Sequence, residues 1–353
     1  MANSFSSPPA LPDQTLVLPG ETLRATTFDN IVETLNWSHG EGPTSPLLSQ
    51  EWADDQCSWS GVSDVPNVAI WRIPKVSPAH QTLRVEFRAS RSDAGGVASS
   101  VTFNCLGDTV ATVPAVGAYT RYSVDLVFDN PANGYGDLSL DLSSTVGSVT
   151  LRDVTAYFAP LTSALDAGPA DGEDEADAYV PMGQSAVATD QSLPAVRGRR
   201  VLHNVGKLVE YPRSVFCWSA LRGIQAWSPA AVAPDQMPEL PHRAIVRVYP
   251  RHLAQGGVYT VYARVLPDTV ATTRVLVHAG GIEGFFPGGW GPPACEIEVP
   301  PADPASPIWV TGTMRIPESR FIGEIPWLTA AIGAWPGEPR ADAAILSLSG
   351  WGA

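Results

Sequence analysis

The sequence is nearly without lysine. Lys75 and Lys207 are the only two, so 22 − 2 = 20 of the basic residues are arginine. Charged residues of both signs make up only 16% of the 353 residues, and 36 acidic side chains leave a formal net charge of −14. A duplex nucleic-acid binder needs a basic face against the phosphates, and this balance supplies none. The same acidity argues against an anionic membrane surface. No apolar run approaches the roughly 18 residues that cross a bilayer. The Ser/Pro-rich start, Met1 to Pro12, has neither a basic n-region nor an apolar h-region. The expectation is a protein made in the cytoplasm and not exported by a classical signal.

Local catalytic and metal signatures are also missing. Cys57, Cys105, Cys217 and Cys295 form no CxxC pair, so the thiols read as small buried hydrophobes rather than zinc ligands. The six histidines (His39, His80, His203, His242, His252, His278) are scattered, with no HExxH or HxH. There is no GxGxxG, P-loop or GxSxG, and Gly183-Gln184-Ser185-Ala186 stops one glycine short. No cofactor, metal or catalytic residue is therefore expected. Sugar hydrolysis by two carboxylates needs no local motif. Asp54-Asp55, between Trp52 and Trp59, is the nearest acidic-aromatic group.

What the chain does have is turn formers and alternation. Gly (31) and Pro (33) exceed a sixth of the residues, with 44% hydrophobic side chains to build cores. Val68–Ile73, Leu83–Phe87, Tyr119–Leu126, Leu138–Leu142 and Val149–Val154 read as strands, the last running on to Phe158. Ile245–Tyr249, Tyr259–Val265, Thr273–Val277, Cys295–Val299, Ile308–Ile316 and Ala344–Leu348 follow. Period-2 patterning means one buried and one wet face, as in antiparallel sandwiches. Two helices are expected. Thr22–Leu35 carries an apolar stripe of Leu23, Phe28, Ile31, Val32 and Leu35, and a less regular one spans Val196–Leu208.

Internal matches point to a duplication. Gly95-Gly96-Val97 recurs at Gly256-Gly257-Val258, and Asp108–Thr112 recurs at Asp268–Thr272. Cys57-Ser58-Trp59-Ser60 faces Cys217-Trp218-Ser219; the offsets are 160 or 161. Phe28–Val32 matches Leu202–Gly206 at 204 − 30 = 174, which places extra residues of the first copy at Gly40–Gln56. The expected architecture is mainly β: two tandem antiparallel, jelly-roll-like β-sandwiches, each preceded by a short α-helix. Residues 1–15 form an N-terminal arm, 16–160 copy 1, 161–187 an acidic linker and 188–353 copy 2. The linker run Asp171–Asp177 lacks the spacing of a calcium loop.

Eleven tryptophans are present. Trp59 and Trp218 stand at matching positions of the repeat and read as core. Phe285, Phe286, Trp290, Trp327 and Trp335 lie among Gly and Pro in the second copy. They form the candidate contact surface, suited to a protein partner or to a sugar ring.

One phrase carries a family resemblance. Leu16-Val17-Leu18-Pro19-Gly20-Glu21-Thr22-Leu23-Arg24-Ala25, followed by Phe28-Asp29-Asn30-Ile31-Val32-Glu33-Thr34-Leu35-Asn36, resembles the opening of tailed-phage virion proteins. It spans about 25 residues and carries no catalytic residues. The resemblance implies a non-enzymatic structural or accessory virion component: a head decoration, collar or tail-fibre subunit. Its partners would be other virion proteins and further copies of itself. A pair of carbohydrate-binding modules for host attachment, with a surface glycan as ligand, is the alternative. A glycosidase or esterase is the third reading.

Overall fold

A computed structural model of the chain describes Gly42 and residues 46–52, 58–60, 63–74, 82–92, 99–105, 108–113, 117–128, 135–144, 148–159, 213–220, 242–248, 256–279, 293–316, 328–333 and 343–352. The N-terminal arm, both expected helices and the acidic linker lie outside these residues. Everything described is strand or short turn.

The first half holds β1 (Leu48–Glu51), β2 (Ser58–Ser60), β3 (Ser63–Pro74), β4 (Thr82–Arg91), β5 (Ser99–Asn104), β6 (Asp108–Val113), β7 (Thr120–Val127), β8 (Tyr135–Ser144) and β9 (Ser148–Phe158). The second holds β10 (Arg213–Ser219), β11 (His242–Val248), β12 (Val258–Leu266), β13 (Thr273–Ala279), β14 (Cys295–Val299), β15 (Ile308–Arg315), β16 (Leu328–Gly333) and β17 (Ala344–Gly352). The alternation predicted from sequence is the alternation observed. Along β4 every second residue from Leu83 to Arg91 is buried, and along β14 Cys295, Ile297 and Val299 are.

The strands form four antiparallel sheets. Sheet A has the order β1-β9-β4-β7, with β2 also on β9, and sheet B runs β3-β8-β5-β6. Sheet C has the order β10-β17-β12-β15, and sheet D runs β11-β16-β13-β14. Because β1 and β2 pair successive stretches of β9, they fill one strand position. Both halves then have the same topology. First, eighth, third and sixth strands make one sheet; second, seventh, fourth and fifth make the other. Two four-stranded sheets wound this way form a jelly roll. The chain is a tandem of two antiparallel jelly-roll sandwiches.

Topology also decides which sequence matches are equivalent. Ser58–Ser60 and Cys217–Ser219 both fall on first-position strands against the last strand, but at different registers. Trp59 stands opposite Val149, whereas Trp218 stands opposite Leu348, the counterpart of Val154, which pairs with Gln50. The other two anchors do not correspond either. Gly95–Val97 precedes β5, a fourth-position strand, whereas Gly256–Val258 leads into β12, a third-position strand. Asp108–Thr112 is β6, whereas Asp268–Thr272 is the turn between β12 and β13. Short words of Gly, Val and Thr recur by composition in strand-rich chains. The offset that follows the fold is 264 − 88 = 176, because Arg88 and Arg264 occupy the same register position, each just before a β-bulge against the last strand. In this register β1 is the counterpart of β10, and the added strand segment of the first copy is β2.

Each sandwich closes on its own core. Trp71, Phe87, Phe103, Phe128 and Phe158 are essentially inaccessible in the first. Phe87 stacks on Tyr122 at 5.3 Å and tilts against Phe103 at 5.1 Å. The second core is built from smaller side chains, with Val261, Val275, Val277, Ile332, Ile345 and Leu348 fully buried. Trp218, expected to be core, is half-buried and packs against it. Glycine is required at Gly350, where a Cβ would stand 2.5 Å from two ring atoms of buried Phe216. Cys105, Cys217 and Cys295 are free thiols, and burial pushes each up to about 12.

Candidate functional site

The outer face of sheet A carries a lattice of opposite charges. Residues 84, 86 and 88 of β4 point outward together because strand side chains alternate. Their cross-strand neighbours on β7 and β9 complete the pairs. Arg84 donates to both carboxylate oxygens of Asp125, at 2.7 and 2.8 Å. This bond holds the Asp125 carboxyl below the usual carboxylate range and raises Arg84. Arg88 donates its Nε to Asp153 Oδ2 at 2.6 Å and its backbone N–H to Oδ1 at 3.1 Å, and lies 4.0 Å from Glu51. Arg121 pairs with Glu86, whose other oxygen accepts the Tyr157 hydroxyl at 2.8 Å. Burial and that carboxylate push the Tyr157 phenol up to about 12.

Among these strands lies an open groove of about 300 Å³, lined by Glu86, Phe87, Arg88, Arg121, Asp153 and Thr155. Solvent-exposed ion pairs contribute only about 0–1 kcal/mol each. The lattice therefore orients planar polar groups more than it stabilises the fold. Three guanidinium groups (Arg84, Arg88, Arg121) meet four carboxylates (Glu51, Glu86, Asp125, Asp153), so the charges are nearly balanced. Every residue sits on a strand, which fixes the spacing of donors and acceptors.

The equivalent face of the second module, the outer side of sheet C, meets the first module instead. Edge strand β3 lies across it. The Ile70 N–H donates to Ser219 Oγ at 3.0 Å, Ser347 Oγ donates to the Ile70 carbonyl, and the Cys217 thiol donates to the Arg72 carbonyl at 3.5 Å. Buried Gln50 completes the seam. Its Nε2 donates to the Ser219 carbonyl at 2.6 Å, and its Oε1 accepts the Ser219 N–H at 3.1 Å and the Trp71 indole N–H at 2.8 Å. The amide thus pairs with Ser219 much as a neighbouring strand would.

Beside the seam, Arg72 is 6% exposed. Its guanidinium lies 3.9 Å from the Tyr135 ring centroid and 3.6 Å from that of Trp309, and it is bidentate to Asp137 at 2.7 and 2.9 Å. Tyr262 stacks on Trp351 at 4.5 Å and tilts against Tyr135 at 5.4 Å. A sheet edge presents unsatisfied backbone groups. Here a row of small hydroxyl and thiol side chains satisfies them, joining the two sandwiches through a continuous network.

The sequence-predicted contact residues Phe285, Phe286, Trp290, Trp327 and Trp335 lie outside the described residues, as do Asp54 and Asp55. Trp52, beside that acidic pair in sequence, is buried in the first core and packs 6.1 Å from Trp71. The groove residues were legible only as polar positions of alternating strands. Their partners lie 35 to 71 residues away in the chain, so no local motif marks the lattice.

No family model and no curated protein matches the chain. Among solved structures, the N-terminal CBM22-1–CBM22-2 tandem domain of Paenibacillus barcinonensis Xyn10C aligns over 87% of this chain and 98% of its own, at 7% identity and a TM-score of 0.23. BiXyn10A CBM1 aligns over 24% of this chain and 61% of its own, at 8% identity and a TM-score of 0.18. An anti-sigma factor domain-containing protein aligns over 86% of both chains, at 9% identity and a TM-score of 0.18. At TM-scores this low, the strand order and register above, and not the likeness, define the fold.

Proposed function

We propose that the chain is a non-catalytic glycan-binding protein in which two joined jelly rolls present the sheet A groove to an uncharged, polyhydroxylated ligand. The observation that carries this reading is the groove itself: an open depression on neighbouring strands, whose charged planar groups are already paired with each other. Hydroxyls both donate and accept, so they can use the remaining lone pairs and N–H groups of the lattice without separating any ion pair. A charged ligand would leave one member of a pair without its partner, which costs more than it returns.

Calorimetric titration with neutral oligosaccharides tests the reading. Arg88→Ala removes the guanidinium at the centre of the lattice. A hydrogen bond to a charged group contributes roughly 1.5–3 kcal/mol, so affinity is expected to fall about 10- to 100-fold. Unchanged affinity in this variant, or no binding of any neutral glycan by the natural protein, would overturn it.

A place in a phage particle is a second proposal, supported by the N-terminal phrase Leu16–Asn36 and in keeping with the firmly joined modules. Quantitative mass spectrometry of density-purified particles carrying this gene is expected to find the chain. Its absence from them would remove the virion reading and leave glycan binding untouched.

A further inference from the structure

We infer that the first module fills the second module's copy of the ligand face, so that a chain with two homologous faces carries one ligand site. The inference rests on the glycan reading of the groove. The bulges after Arg88 and Arg264 set the two faces in common register. Glu86 then corresponds to Tyr262 and Arg121 to Trp309 through their cross-strand neighbours. Asp153 corresponds to Ser347, each standing opposite the arginine before the bulge.

Two of these changes, at Glu86 and Asp153, remove the carboxylates that line the groove. A large guanidinium-bearing side chain gives way to an indole, and the last strand acquires small hydroxyls. Each change suits the surface that covers it. Ser347 is small enough for the β3 backbone to approach, and its hydroxyl satisfies the Ile70 carbonyl. Trp309 lies on the Arg72 guanidinium. Arg264 has no carboxylate of its own module at the equivalent position. Burial lowers it, and although Asp137 of the first module acts against this, Arg72 adds to it and the net shift is downward. An edge strand and a guanidinium of the first module thus occupy the place a ligand takes on sheet A.

Two measurements on the full chain separate this inference from the reading it rests on. Titration with a neutral oligosaccharide is expected to give one site per chain, and Arg88→Ala is expected to weaken all of the binding by about the same 10- to 100-fold. Two sites, or half the binding keeping its natural affinity in Arg88→Ala, would overturn the inference. Hydrogen exchange needs no ligand. The Ile70 and Ser219 amides are expected to exchange slowly, and Gln50→Ala to speed both together. Fast exchange of these amides in the natural protein would show the second face uncovered and overturn the inference even if glycan binds. Slow exchange without any glycan binding would instead overturn the glycan reading and leave the covered face standing.

Discussion

Trp71→Ala is expected to destabilise the protein by about 3–5 kcal/mol, the range for deleting a buried aromatic side chain. Trp71 is fully buried on the inward side of β3, among the largest side chains of the first core. Its ring packs against Trp52, 6.1 Å away, so the cavity left behind is walled by another indole and by strand backbone that cannot collapse freely. A second loss adds to the first. The indole N–H donates to Gln50 Oε1, and Gln50 in turn holds Ser219 of the second module. The variant therefore weakens the seam as well as the core. Urea unfolding followed by circular dichroism measures the effect. A change below about 1 kcal/mol, the size of an ordinary surface substitution or little more, would mean that Trp71 does not anchor the core as described. Trp71→Phe should recover much of the packing and leave the seam defect, which separates the two contributions.

Gln50→Leu is expected to be nearly as damaging with almost no change in volume. The Gln50 side chain is 5% exposed and serves three groups: the Trp71 indole N–H, the Ser219 N–H and the Ser219 carbonyl. Leucine fills the space and leaves all three without this partner. Each buried polar group so stranded costs roughly 1–3 kcal/mol. A total of about 3 kcal/mol is expected, and the cost falls on the contact between modules. Calorimetric unfolding should therefore change form. One coupled transition becomes two, as the sandwiches lose their mutual support and melt separately. Effects on Trp71 and Gln50 should be non-additive, since they share one hydrogen bond. A stability change within about 0.5 kcal/mol with a single transition would show that the modules are held together by something other than this seam.

The backbone order of the protein was largely written in its sequence. Period-2 runs such as Leu83–Phe87, Val149–Val154 and Cys295–Val299 lie within or match observed strands, because a side chain that must alternate between core and water leaves its mark residue by residue. Strands with a weaker mark escaped. β16, Leu-Thr-Ala-Ala-Ile-Gly, is buried at Ala330, Ala331 and Ile332 in succession and so shows no alternation. β5, Ser-Ser-Val-Thr-Phe-Asn, does alternate, but its buried Ser99 reads as polar. Duplication was legible as well, yet it is the shared strand order that carries it, since Trp59 and Trp218 stand at different registers against the last strand. Recurrence of a short word says nothing of where the chain has reached in the fold.

Only the tertiary structure decided what the outward faces meet. Arg88 and Arg264 hold the same position in equivalent strands, and Ser347 and Thr155 both read as wet residues of an alternating run. One face carries an open groove of paired charges, while the other is covered by an edge strand from the first module. A strand pattern records which side of a sheet leaves its own core. Whether that side then meets water, ligand or another module depends on groups distant in the chain, as Ser219 and Ile70 are, 149 residues apart.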